Sequence, residues 1–274
     1  MISGRAPAGA SRYVRVRRRL GRMPEDEHPS APPSLRQRRR AVATQEIVRA
    51  AELHIAEHGS AALSLRAVAR SLGMSVQALY HYFPDRNALV TVLIAKAYED
   101  LATAVQTAAD TTPPDPPDPS VPRFVIAAEG YRQWAVAHPE RFQLLYGTPL
   151  RSYAAPVGGP TTRAMQQMSA IFQRVLFGDF TTEQLAAADT LPLSPPFLAH
   201  LEQLSPDGLA ALPPRATALL LSGWGHMHGL VVLEVFGHTS FLGGHQAEIF
   251  HLAMRDLVTD IHRRIPGGHG NGPG

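Results

Sequence analysis

The chain is predicted to be all-helical, with a three-helix unit near the N-terminus and a larger helical body behind it. Two observations carry that prediction. Apolar residues recur at helical spacing in segment after segment, from Ile47 to Ile261. Helix punctuation then falls between those segments: Ser64 and Ser75 as capping residues, Gly59 and Gly73 as stops, and proline runs at residues 110–120 and 178–213.

In chain order, residues 38–58 form the first helix, with Ile47, Ala50, Ala51, His54 and Ile55 on one stripe. His54 is expected in the core rather than as a ligand, and Gly59 suits a helix C-cap. Ser64 opens a short helix whose apolar face is Leu65, Val68, Ala69 and Leu72. Gly73 breaks it, and Ser75 opens a second short helix that returns Val76, Leu79 and either Tyr82 or Phe83 to the core. The small side chain of Ala69 lets the two cross closely. Pro84-Asp85 ends the unit and opens a fourth helix to about Ala109, marked by Leu89, Val92, Leu93, Lys96, Leu101 and Val105. Two short helices joined by a glycine turn are the pattern of a helix-turn-helix, whose second helix enters the DNA major groove. Spacing alone would equally fit an ordinary helical bundle.

The order of residues is more specific. Ile47-Val-x-Ala-Ala, Ala56-Glu-His-Gly59, Leu63-Ser-Leu-Arg-Ala-Val-Ala69, Leu72-Gly-Met-Ser75, Ala78-Leu-Tyr-His-Tyr-Phe83 and Arg86-x-Ala-Leu89 follow one another without gaps. Between about Arg40 and Val90 the chain resembles the DNA-binding domain of the tetracycline-repressor (TetR) family. The resemblance implies a homodimeric transcription regulator, more often a repressor than an activator, in which the fourth helix links the DNA-binding unit to the body.

A helix in the major groove offers only three or four side chains to base edges. Here these are Ser75, Val76, Gln77 and Ala78. The Gln77 amide suits bidentate pairing with adenine, and Val76 and Ala78 suit thymine methyls. Tyr80, His81 and Tyr82 are expected at phosphates, with Ser64, Arg66 and Arg86 as further contacts, although Tyr80 or Tyr82 could instead pack in the small core. The net charge of +3 is uneven: residues 1–40 hold eleven arginines against Glu25, Asp26 and Glu27, which leaves the remainder at −5. Arg36, Arg38, Arg39 and Arg40 are expected to touch phosphates as a basic arm. Residues 1–34 show no apolar period and are expected to be a disordered basic extension. Their first twenty-two residues lack acids, as a transit peptide would, and Met23 would also open a sensible chain.

The body, residues 85–265, is divided by the proline-rich linker 110–120. Two helices follow over 121–147, broken at His138-Pro139. A helix over about 161–177, short helices across 178–213, long helices over 214–237 and 246–264, and a glycine-rich flexible tail, 266–274, complete the chain. Tyr131-Arg-x-Trp-Ala-x-x-His-Pro-Glu-Arg-Phe-x-Leu-Leu-Tyr-Gly147 resembles the start of a TetR-type effector domain. Trp224, His228-Gly229 and Leu233-Glu234 resemble its tryptophan-histidine-glycine class. The two C-terminal helices then imply a two-fold four-helix dimer interface. Tyr131, Trp134, Phe142, Tyr146, Met165, Met168, Phe172, Trp224 and His228 are the candidate ligand-binding residues, against the plainer reading that such a stripe is core. With few charges among them, the effector is expected to be small and largely apolar or amphipathic.

Other classes of function find little in the sequence. Cysteine is absent, which removes disulfides and thiolate metal sites and suits a reducing cytoplasm, where a nucleoid-associated protein would sit. His226 and His228, two apart on one helix, point about 200° away from each other and cannot share an ion, so no metal or cofactor is expected. No phosphate loop, dinucleotide fingerprint or Gly-x-Ser-x-Gly elbow argues for an enzyme. No run of eighteen apolar residues argues for a membrane span. The remaining alternative is a nucleoid protein that binds DNA without an effector. The expected partners are therefore an inverted-repeat DNA duplex, a second copy of the chain and a small effector.

Overall fold

The computed structural model describes residues 34–111, 121–147, 153–156, 158–203 and 212–267. The predicted extension up to residue 33, residues 112–120 of the linker and residues 268–274 of the tail lie outside them. Two units are distinguished, Met1–Arg40 and Ala41–Gly274. Of the first, Ser34–Arg40 is described and is exposed throughout.

Helix α1 spans Leu35–His58, three residues earlier than the predicted start. The reason is a reciprocal cap: the Gln37 backbone N–H donates to Ser34 Oγ (3.3 Å), and the Ser34 N–H donates to Gln37 Oε1 (2.7 Å). A single 3₁₀ turn, Ser60–Ala62, follows. Helix α2 (Leu65–Ser71) is capped by Ser64, whose Oγ accepts the Ala67 N–H at 3.2 Å. Gly73 then takes φ 64°, with Met74 N–H donating to Ala69 O (2.9 Å) and Gly73 N–H to Arg70 O (3.2 Å). That pair of bonds is a Schellman stop, and its left-handed residue favours glycine. Helix α3 (Val76–Tyr80) is capped by Ser75, whose Oγ accepts Ala78 N–H at 3.1 Å. Helix α4 (Arg86–Asp110) is capped by Asp85.

These elements enclose a head core of Ile47, Val48, Ala51 and Ile55 from α1, Leu65, Val68 and Ala69 from α2, Leu79 from α3 and Leu89, Val90 and Leu93 from α4. His54 is half-buried rather than enclosed: its Nε2 lies 3.3 Å from Ala62 O and its ring stacks on His58.

The body comprises α5 (Arg123–Ala137), α6 (Pro139–Tyr146), α7 (Pro160–Phe177), the short α8 (Thr182–Ala186) and α9 (Pro195–Gln203), and the long α10 (Pro214–Val235) and α11 (Gln246–Arg263). Pro139 and Pro160 each occupy a first helical position, where the missing N–H costs nothing. A second Schellman stop at Gly237 (φ 78°) ends α10 at Val235, two residues before the predicted end. The α4–α5 crossing is close because residue 130 is glycine; a Cβ there would lie 2.5 Å from Ala108 Cβ. Helix α10 is long and apolar enough to cross a membrane by length and composition. Its Leu219, Leu220, Met227 and Val231 are instead buried in the body core. No strand occurs among the described residues.

Candidate nucleic-acid interface and aromatic cluster

The outer face of the helix-turn-helix carries the predicted DNA contacts. Gln77 and His81 are exposed, Tyr80 is 46 % exposed, and Arg66 is exposed on α2. Val76, Ala78 and Tyr82 are half-buried, with Val76 and Tyr82 packed against the head core. Of the two tyrosines, Tyr82 is thus the one that packs. The hydroxyls of Ser64 and Ser75 already serve as helix caps. Arg86 is committed as well: its Nε donates to Leu63 O (2.8 Å) and its Nη2 to Ser60 O (3.4 Å). The guanidinium braces the 3₁₀ turn before α2 instead of reaching outward. Arg70, one helical turn beyond Arg66 and exposed, was not singled out from sequence; the i, i+4 spacing of the two arginines was the signal for it. Arg36, Arg38, Arg39 and Arg40 are exposed on the opening turns of α1.

In the body, six of the nine predicted ligand residues converge. The Tyr131 hydroxyl lies 2.8 Å from His228 Nδ1. The Trp224 and His228 rings stack at 5.5 Å and 9°. Tyr146 meets His228 at 4.5 Å, Phe142 at 5.1 Å and Trp224 at 6.5 Å. Phe172 meets Trp224 at 5.8 Å and Tyr131 at 6.2 Å, edge-on. Tyr98 of α4, which the sequence reading did not include, joins edge-on to Tyr146 at 5.9 Å. Its place in the α4 apolar period, between Ile94 and Leu101, was the available signal.

The other three behave differently. Met165 is 48 % exposed and turns away from the core. Met168 is buried as plain core. Trp134 is buried but pairs with the His138 ring at 5.3 Å.

The cluster is electrically quiet. Burial pushes the phenols of Tyr131 and Tyr98 above their ordinary value. Tyr146 is driven up further, by burial first and then by the neighbouring Tyr131 and Tyr98. Burial also pushes His228 below its ordinary value, towards neutral imidazole. The Tyr146 hydroxyl is buried and has no partner at hydrogen-bond geometry, although Tyr131 and Tyr98 are near enough to influence it. A separate groove of about 780 Å³, lined by Val48, Arg49, Glu52, Val92, Ala95 and Lys96 among others, borders α1 and α4 and includes none of the cluster.

Helix α6 joins the two sites. Phe142 sits in the body core, while Leu144 is counted in the head core. Just before Phe142, Arg141 donates to Asp100 of α4 (3.1 Å) and lies 3.8 Å from Glu52 of α1. Glu52 in turn holds Lys96, the only lysine of the chain, at 2.5 Å.

A capped two-helix reading unit on a helical body is the arrangement of a helix-turn-helix transcription regulator, and comparison with known proteins is decisive on the kind. Residues 41–93 match the family described as bacterial regulatory proteins, tetR family, and residues 124–257 match the tetracyclin repressor-like C-terminal domain. The HTH-type transcriptional regulator Rv1816 of Mycobacterium tuberculosis strain H37Rv is 34 % identical over 192 residues, covering 70 % of this chain and 80 % of that protein. Among solved structures, the regulatory protein SCO4313 is similar at 31 % identity and TM-score 0.64, covering 83 % of this chain and all of that one. A protein of unknown function from Rhodococcus sp. RHA1 shares the fold at 21 % identity and TM-score 0.57, over 86 % of this chain and 99 % of its own. The chain belongs to the TetR family of transcription regulators. That membership makes it a DNA-binding regulator and not an enzyme.

Proposed function

We propose that this regulator acts as a cytoplasmic homodimeric repressor that reads an inverted-repeat operator through α3 and releases it when a small, largely apolar effector enters the aromatic cluster. In the proposed division of labour, residues 35–84 read DNA, with Arg36, Arg38, Arg39 and Arg40 on the phosphates, and residues 85–265 bind effector and dimerise. The observation that carries the reading is α6, whose Phe142 belongs to the body core and whose Leu144 belongs to the head core. An effector that repacks the cluster therefore acts on a helix the head depends on. It lowers DNA affinity by its differential preference for the two arrangements.

For the reading face, Gln77 is the base reader and Tyr80, His81 and Arg66 are phosphate contacts, supported by their exposure around α3. For the dimer, α10 leaves Leu221 and Gly225 exposed four residues apart and Leu233 exposed eight residues further on, and α11 leaves Ile249 and Leu252 exposed. At Gly225 and Gly229 an added Cβ would meet nothing within 4 Å, so a facing helix has room to approach. The test is selection of genomic fragments by the purified protein, followed by footprinting. Paired half-sites one helical turn or a multiple apart are expected. Gln77→Ala should relax base preference at one position in each half-site and cost roughly 1–3 kcal/mol. A variant that selects the same sequence with equal affinity would remove Gln77 as the reader.

A further inference from the structure

We infer that the effector is an uncharged molecule with a flat apolar body and one hydrogen-bond acceptor, such as a carbonyl oxygen, which the Tyr146 hydroxyl receives. The inference rests on the reading of the aromatic cluster as the effector site and names the chemical class it takes.

The polar groups of the cluster are not equivalent. Tyr131 and His228 are already engaged with each other at 2.8 Å. Tyr146 Oη is buried without a hydrogen-bond partner, so its proton is a donor that the fold leaves unused. An acceptor placed there recovers a bond the fold leaves unmade, whereas an apolar group does not. The acceptor has to be carried by an uncharged molecule, because the surrounding charges are spoken for. Arg141, adjacent to Phe142 in sequence, is turned to Asp100 and Glu52, and Arg132 is held by both oxygens of Glu234. Among the described residues, none of the recorded ion pairs involves a member of the cluster. A carboxylate entering it would be desolvated with no counter-charge, and an ammonium would meet no carboxylate. Burial raises the phenols and lowers His228, so the cluster offers a charged ligand no ready-made counter-charge near neutral pH. A flat body fits the surroundings: Trp224 and His228 present parallel rings, and both are half-buried, so this is the accessible side of the cluster.

The chain has two tryptophans, so Trp134→Phe leaves Trp224 as the sole reporter within the cluster. Four matched probes are titrated into that full-length protein: acetophenone, benzoate, benzylamine and ethylbenzene. Saturable quenching by acetophenone is expected, with benzoate and benzylamine at least about tenfold weaker. Tyr146→Phe should lower the affinity of acetophenone relative to ethylbenzene by about tenfold, the worth of one hydrogen bond left unmade. Thermal shifts of the unsubstituted protein should rank the probes identically, which guards against a damaged reporter variant. Benzoate or benzylamine binding as tightly as acetophenone overturns the inference, and so does an unchanged acetophenone-to-ethylbenzene ratio in Tyr146→Phe. In either case the apolar probe still quenches Trp224 and the cluster survives as an effector site. If none of the four probes moves Trp224 or the melting temperature, the effector-site reading falls with it.

Discussion

Tyr98, Tyr131 and Tyr146 are held neutral by burial, and that has a consequence for stability. A phenol whose folded value is raised keeps its contribution below the unfolded value near 10 and loses it above, because only the unfolded chain then gives up the proton. His228 works from the other side. Its folded value is lowered by burial, so stability is intact above about 6.5 and falls as the pH drops below it, where only the unfolded chain takes up the proton. Melting temperatures should therefore decline below about pH 6.5 and above about pH 10. His228→Gln should flatten the acid limb. Of the seven tyrosines, the three in the cluster should show tyrosinate absorbance only on unfolding. Residue roles were unevenly legible in the sequence. Gln77 on the outer face could be anticipated from its place after a capping serine. Arg86 could not: a guanidinium reads as a phosphate ligand until the carbonyls of Leu63 and Ser60, more than twenty residues away, come within its reach. Met165 was grouped with the pocket on residue type and its seven-residue spacing from Phe172, yet it is exposed, and Ala164 and Met168 carry the buried face of that part of α7.

At the level of elements, the close approach of α4 and α5 depends on Gly130. Gly130→Ala would set a methyl 2.5 Å from Ala108 Cβ, and neither helix backbone can yield cheaply. An overpacking cost of about 1–3 kcal/mol is expected in urea melts. Helix α6 poses a question of magnitude: its attachment to the head is both ionic and apolar. The Arg141 network is partly solvated, with Asp100 38 % exposed, so Arg141→Gln should cost at most about 1 kcal/mol. Leu144→Ala should cost about 2–5 kcal/mol, since it removes a buried side chain from the head core. The reverse ranking would mean that the ion pairs hold α6 to the head. Element boundaries were legible wherever a cap or a stop has a local chemical signature: Ser64, Ser75, Asp85 and Gly73 all act as read. The start of α1 was missed because the Ser34–Gln37 reciprocal cap lies in an otherwise charged, featureless stretch.

At the scale of the whole molecule, the exposed apolar residues of α10 and α11 are the surface that the proposed dimer would cover. Stable two-fold interfaces bury roughly 1,200–2,000 Å² in total, which two long helices from each subunit can supply. Leu221→Glu combined with Leu252→Glu should leave helix content intact while sedimentation shows a single subunit, and inverted-repeat affinity should fall by more than about tenfold as one half-site is lost. A double variant that still sediments as a dimer would move the interface elsewhere. The architecture as a whole was readable because periodicity, caps and proline breaks all agree on helices. What could not be read was which apolar face meets which, and that is how Tyr98 and Leu144 came to their places.

Leu144 has one more implication, for anyone who would cut the protein in two. A fragment that stops at the end of α4 keeps every helix of the reading unit but lacks the side chain that α6 contributes to its interior. Such a fragment would carry an open hydrophobic notch among Ile55, Leu93 and their neighbours. It should melt early or aggregate, and grafting α6 back on, not lengthening the N-terminal arm, is what should restore it.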